Sequence, residues 1–117
     1  LVICDCDCDG FTSAALLINY LYDLFPSYVE TGLKWFVHED KQHGLEDVMD
    51  YIDSHNFKLV IVPDASSNDY EYHKILKDKG IDVIDCGVPV LSMHSPYEVT
   101  SKFDIYEAYR AYEAFWK

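Results

Sequence analysis

The chain predicts an α/β fold, a three-layer α/β/α arrangement around a mainly parallel sheet of about five strands. Three observations carry the prediction. Short apolar runs alternate with segments of helical period nearly throughout. The run Leu59-Val60-Ile61-Val62 is apolar on both faces, as a central parallel strand must be. No repeat, linker or low-complexity segment interrupts the alternation, so 1–117 reads as a single domain.

The elements follow in order. Residues 1–6 read as a buried strand that ends in an acidic turn at 7–10. Thr12 and Ser13 offer caps for a helix over 13–25, closed by Pro26. That helix is apolar around most of its circumference and is expected to pack hard against the sheet. A second strand is predicted over 33–37. Leu45, Val48, Met49 and Ile52 then recur at i, i+3, i+4 and i+7, an amphipathic helix opening after Gly44. A third strand covers 58–62, and Ser66 and Ser67 introduce a helix to about residue 79, stopped by Gly80. A fourth strand is expected over 81–84, a fifth over 90–93, and a last helix over 100–116. A chain that opens at Leu1-Val2-Ile3, inside a strand and without Met, reads as a piece of a longer one.

Composition narrows the function classes. Twenty-one acidic residues against nine basic ones leave a formal charge of −12, the reverse of the basic footprint of a free-standing nucleic-acid binder. No apolar run approaches the ~20 residues that span a bilayer, and no basic-then-apolar leader precedes the first strand. A cytoplasmic protein without a membrane partner is expected; the oligomeric state stays open. Cys4, Cys6 and Cys8 alternate, so on a strand their sulfurs would share one face under a helix. Their spacing suits neither a zinc finger nor a disulfide frame.

In parallel sheets ligands gather at the carboxyl ends of the strands. Asp5, Asp7 and Asp9, then Asp64, Asp85 and His94, all fall there in this reading. Clustered carboxylates repel unless a cation relieves them, and hard ions such as Mn²⁺ or Mg²⁺ favour such oxygens. A solvated acidic turn is the alternative.

Two resemblances stand on these residues. Asp5-Cys6-Asp7-Cys8-Asp9-Gly10-Phe11-Thr12-Ser13-Ala14 resembles the first motif of the DHH phosphoesterase family, in its RecJ-type single-stranded-DNA exonuclease branch. Ile61-Val62-Pro63-Asp64-Ala65-Ser66-Ser67 is similar to the second motif, and the likeness runs from residue 1 to about 84. It implies Mn²⁺ or Mg²⁺ held by Asp7, Asp9 and Asp64, with Asp64 between two ions, Asp5 supporting the turn and His43-Gly44-Leu45 near the site. The substrate it implies is single-stranded nucleic acid or a small phosphodiester. Where that family continues into Asp-His-His, this chain reads Asp85-Cys86-Gly87. Asp85 fills the aspartate position, and the missing histidines imply impaired catalysis.

From about Gly80 onward the sequence looks like the C-terminal segment of the aspartyl aminopeptidase/aminopeptidase I zinc metallopeptidases, with Leu91-Ser92-Met93-His94-Ser95 at its core. That likeness implies His94 as a Zn²⁺ ligand; the further ligands of that family have no counterpart here. A rim or core histidine with a hydrogen-bond partner is the other reading of His94. The two resemblances meet between Lys79 and Asp85, which implies a hybrid chain. Three functions follow: a divalent-metal phosphoesterase domain, impaired; a zinc aminopeptidase remnant; or a non-catalytic α/β scaffold.

Overall fold

A computed structural model describes residues 1–39, 44–64, 68–85, 90–92 and 95–115. The chain divides into two compact units, Leu1–Asp85 and Cys86–Lys117. The first contains a four-stranded sheet of β1 (Val2–Cys4), β2 (Trp35–Val37), β3 (Leu59–Val62) and β4 (Asp82–Asp85). Its order is β2-β1-β3-β4, with every neighbouring pair parallel. The helices are α1 (Cys8–Leu24), α2 (Pro26–Gly32), α3 (Met49–Asp53) and α4 (Tyr70–Asp78). A 3-10 turn, Glu46–Val48, leads into α3.

The period of two along β1 divides the core between the faces of the sheet. Leu1 and Ile3 join Leu45, Val48, Ile52, Val60, Val62 and Leu76 in the larger cluster. Val2 and Cys4 meet Ala14 of α1 on the opposite face, with Leu17, Ile18 and Leu33 around them. Helices on both sides of a parallel sheet make the three-layer α/β class that the alternation predicts.

The details differ from the sequence expectation in instructive ways. Helix α1 starts at Cys8, five residues early, because Asp7 rather than Thr12 or Ser13 is its cap: the Asp7 carboxylate accepts the Gly10 N–H at 2.9 Å. The Thr12 and Ser13 hydroxyls donate instead to the Cys8 and Gly10 carbonyls inside the helix. Pro26 does close α1, but it also opens α2 from its first turn, where a missing N–H costs nothing. The three cysteines do not share a buried face, since the strand stops at Cys4: Cys4 is buried, Cys6 half-buried and Cys8 exposed at the helix start. Nor does α1 pack hard. Only Gly10 and Ala14 of it are buried, and Leu16, Tyr20 and Leu24 lie in solvent.

The expected fifth strand leaves the parallel sheet. Strand β5 (Val90–Leu91) pairs antiparallel with β6 (Val99–Thr100) in the second unit. Helix α5 (Lys102–Phe115) follows, and none of its residues is buried.

Three residues, Asp5 to Asp7, join β1 to α1. The turn is so tight that a Cβ on Gly10 would lie 2.6 Å from the Asp5 carbonyl oxygen. Gly10→Ala is therefore expected to destabilise the protein by about 1–3 kcal/mol, the cost of overpacking against backbone. Denaturant unfolding measures it, and an unchanged midpoint would contradict the contact.

Candidate metal centre

Parallel strands bring their carboxyl ends to one edge of a sheet. Here that edge receives Asp5, Asp7 and Asp9 after β1, His38 after β2, Asp64 after β3, and Asp85 closing β4. Val2 of β1 stands opposite Ile61 of β3, so the chain beyond Cys4 emerges beside the chain that carries Asp64. Asp7, Asp9 and Asp64 each offer a carboxylate oxygen within 4.8 Å of the other two. Oxygens arranged around a hard divalent ion at about 2.0–2.6 Å span that range, so the donor set fits such an ion in number, chemistry and spacing. Among the described residues this is the group of three acidic, cysteine or histidine side chains that meets the spacing.

Each member is held by local structure. One oxygen of Asp7 is fixed by the Gly10 N–H, and Asp9 lies in the first turn of α1. The positive end of the α1 dipole lowers the cost of bringing these anions together. Asp9 and Asp64 are exposed, and Asp7 is half-buried.

The other carboxylates of this edge are differently engaged. Asp5 is buried, and its side chain accepts the Cys6 N–H at 2.7 Å, which fixes the turn. Asp85 faces His73 of α4: its Oδ2 lies 3.4 Å from the His73 Nε2, and its side chain is only 6% exposed. Neither atom has a hydrogen-bond partner among the described residues. Burial pushes the Asp85 carboxyl up from the ordinary aspartate value; His73 opposes this, and Asp69 adds to it.

Sequence reasoning missed three residues here. His38 is fully buried, and its Nε2 lies 2.9 Å from the Gly44 carbonyl oxygen. Asp69 accepts the Leu45 N–H at 2.7 Å. The peptide between Gly44 and Leu45 is thus pinned at both ends, with Gly44 at φ +84°, where an added Cβ would collide with the Asp69 carboxylate. His38 is legible from its position directly after a strand, by the same rule that singled out Asp64. Asp69 and His73 carry no such signal. His43 and His94 lie outside the described residues, as do Cys86 and Gly87.

The thiols do not supplement the carboxylates. Burial, then the charges of Asp5, Asp7 and Asp64, pushes the Cys4 thiol up; the same burial and the charge of Asp5 raise that of Cys6. A thiol kept protonated is a poor ligand and a poor nucleophile.

Two outcomes are expected. A raised carboxyl stabilises the fold fully below the ordinary aspartate pKa and loses that contribution as pH climbs through its folded value. Asp85→Asn should therefore raise the Tm at pH 7, with the gain vanishing toward about pH 3, where the wild-type carboxyl is also neutral. A gain that does not change with pH would contradict the burial argument. Alkylation followed by mass spectrometry should label exposed Cys8 well before buried Cys4.

Comparison with known proteins returns both resemblances. Residues 73–116 match the family model of the aminopeptidase I zinc metalloproteases (M18). A probable M18 family aminopeptidase 1 of Borrelia garinii subsp. bavariensis is 61% identical over 44 residues, 38% of this chain and 10% of that protein. Its counterpart in Thermotoga neapolitana is 51% identical over 43 residues, 37% of this chain and 10% of that protein. A putative SPbeta prophage-derived single-strand DNA-specific exonuclease, YorK, of Bacillus subtilis is 33% identical over 82 residues, 68% of this chain and 13% of that protein. No solved structure matches. No helix among the described residues is long and apolar enough to cross a membrane. The chain spans between 10% and 13% of the length of these relatives, and along it the likeness to an exonuclease is joined by a likeness to M18 peptidases from residue 73.

Proposed function

We propose that the sheet unit is a DHH-type phosphoesterase domain that takes Mn²⁺ or Mg²⁺ at Asp7, Asp9 and Asp64, with single-stranded nucleic acid or a small phosphodiester as its substrate class. The convergence of three carboxylate oxygens within 4.8 Å carries this reading, and the likeness to a single-strand DNA-specific exonuclease supports it. A divalent ion held there supplies Lewis-acid polarisation of a phosphoryl oxygen and lowers the pKa of water. The protein's own part is electrostatic and positional. Asp7 stays fixed by the Gly10 N–H while its charge is offset by the helix terminus. Without a cation, the three carboxylates on a chain of net charge −12 repel phosphate.

Turnover by this chain is impaired in our reading. Asp85-Cys86-Gly87 stands where the family carries Asp-His-His, and Asp85 faces His73 rather than the three convergent aspartates. The match over 73–116 favours a second reading for that part of the chain, a zinc aminopeptidase remnant with His94 as its ligand. One histidine falls short of the three protein ligands a catalytic zinc site uses, so peptide hydrolysis is not expected. If neither metal binds, the chain is a scaffold.

Metal titration is the test. Electron paramagnetic resonance should report saturable Mn²⁺ binding that weakens at least about tenfold in Asp64→Asn. The double variant Cys86→His/Gly87→His should tighten it by a similar factor. Absence of saturable binding at millimolar Mn²⁺ would sink the phosphoesterase reading. Zn²⁺ binding lost in His94→Ala would favour the peptidase remnant.

A further inference from the structure

We infer that the groove between α1 and the edge strand β2 is a subsite for an unpaired nucleobase, whose neighbouring phosphate sits at Asp7, Asp9 and Asp64. The inference rests on the metal reading above and extends it to how a substrate is held.

The groove arises from the topology. Strand β2 is an edge strand, and α1 packs through Ala14 onto Val2 and Cys4 of β1. Phe36 turns into the larger core, so Trp35 and Val37, one residue to either side, project to the α1 face. Among the described residues of the sheet unit both stay exposed, Trp35 at 59% and Val37 at 38%. The resulting cleft holds about 320 Å³ and is lined by Cys4, Phe11, Ala15, Asn19, Trp35 and Val37 among others. Its size falls in the range of small-molecule sites, at the low end.

Its chemistry suits a flat heteroaromatic ring. Phe11 and Trp35 are 49% and 59% exposed, so each presents part of its ring to solvent. The rest of the lining is mainly aliphatic, and Asn19 adds one amide that can both donate to and accept from a base edge. Aromatic side chains beside a backbone-binding site are the general means of holding single-stranded bases, because every base has a stacking face. A duplex keeps those faces occupied.

Its position links it to the metal centre. The Phe11 N–H donates to the Asp7 carbonyl at 3.0 Å, so Phe11 stands one helical turn beyond Asp7. Cys4, which lines the groove, ends the strand whose next turn carries Asp5 and Asp7. A nucleotide with its phosphate at the carboxylates has its base one helical turn away, at the groove mouth. Among the described residues that line it, the groove brings no lysine or arginine. Nucleotide binding must therefore depend on the divalent ion, whereas a nucleoside, having no phosphate to be repelled, should bind independently of it.

The chain has two tryptophans, so Trp116→Phe leaves Trp35 as the sole reporter. In saturating Mg²⁺, 2′-deoxyadenosine 5′-monophosphate should quench Trp35 saturably and 2-deoxyribose 5-phosphate should not. Phe11→Leu, and independently Ala15→Leu, which fills the groove, should each weaken that binding about tenfold. Asp64→Asn should weaken the nucleotide below the affinity of deoxyadenosine, whose own binding should not change. Metal binding is followed in parallel by Mn²⁺ resonance. Metal binding without base-dependent quenching, or with quenching indifferent to both groove variants, overturns the subsite and leaves the metal reading intact. Quenching by deoxyadenosine with no metal binding keeps the groove as a base site and overturns the metal reading.

Discussion

The candidate centre depends on one tight connection: only Asp5, Cys6 and Asp7 separate the end of β1 from the start of α1. So short a link sets the first turn of the helix directly on the strand end, against the Asp5 backbone, and only a residue without a Cβ fits at position 10. The same Gly10 supplies the N–H that fixes Asp7. Capping, close packing and the placement of the Asp7 carboxylate are thus one interaction. A longer turn would free Gly10 from its constraint, but it would also release Asp7 and Asp9 from the helix terminus that offsets their charge.

The acidic edge of the sheet is not a uniform patch, and its carboxylates sort by partner. Asp5 and Asp69 accept backbone N–H groups, from Cys6 and Leu45, and serve as fixed struts. Asp85 is buried beside His73, and burial pushes its carboxyl up while His73 opposes the shift. Asp7, Asp9 and Asp64 converge on one another. Three anions within 4.8 Å on an already acidic chain are costly unless a cation joins them. The acidity that argues against unaided nucleic-acid binding is thus concentrated where the proposed divalent ion would offset it.

Much of this was legible in the sequence, for reasons that also explain the failures. The apolar run ending in Asp64 marks a central parallel strand because burial on both faces leaves no alternation to obscure it, and the strand-end rule then locates the aspartate. The start of α1 was misjudged because Asp7 reads equally well as a turn residue or a cap; only the register of Gly10 against Asp5 decides, and that is a tertiary contact. Alternation of Cys4, Cys6 and Cys8 suggested a strand that the Asp7 cap cuts short at Cys4. Val90 and Leu91 have the composition of any short strand, and composition does not say which partner a strand takes. His38, Asp69 and His73 escaped notice because each acts through a residue distant in sequence, with no motif spacing to betray it.

The two likenesses do not change over where the structure divides. The M18 match begins at residue 73, within α4, whereas the compact units part after Asp85. The second half of α4 and all of β4 thus belong both to the sheet unit and to the stretch that resembles the peptidases. A parallel strand tolerates such a change of likeness along the chain because its pairing with Leu59–Val62 is made by backbone groups, which do not distinguish one apolar sequence from another. His73 and Asp85 both lie inside the matched stretch and face each other, while Asp7, Asp9, Asp64 and Asp69 lie outside it. Asp85 and the histidine it faces therefore both come from the stretch of chain that resembles the peptidases. The side chain that closes β4 is thus engaged with α4 rather than with the three convergent aspartates.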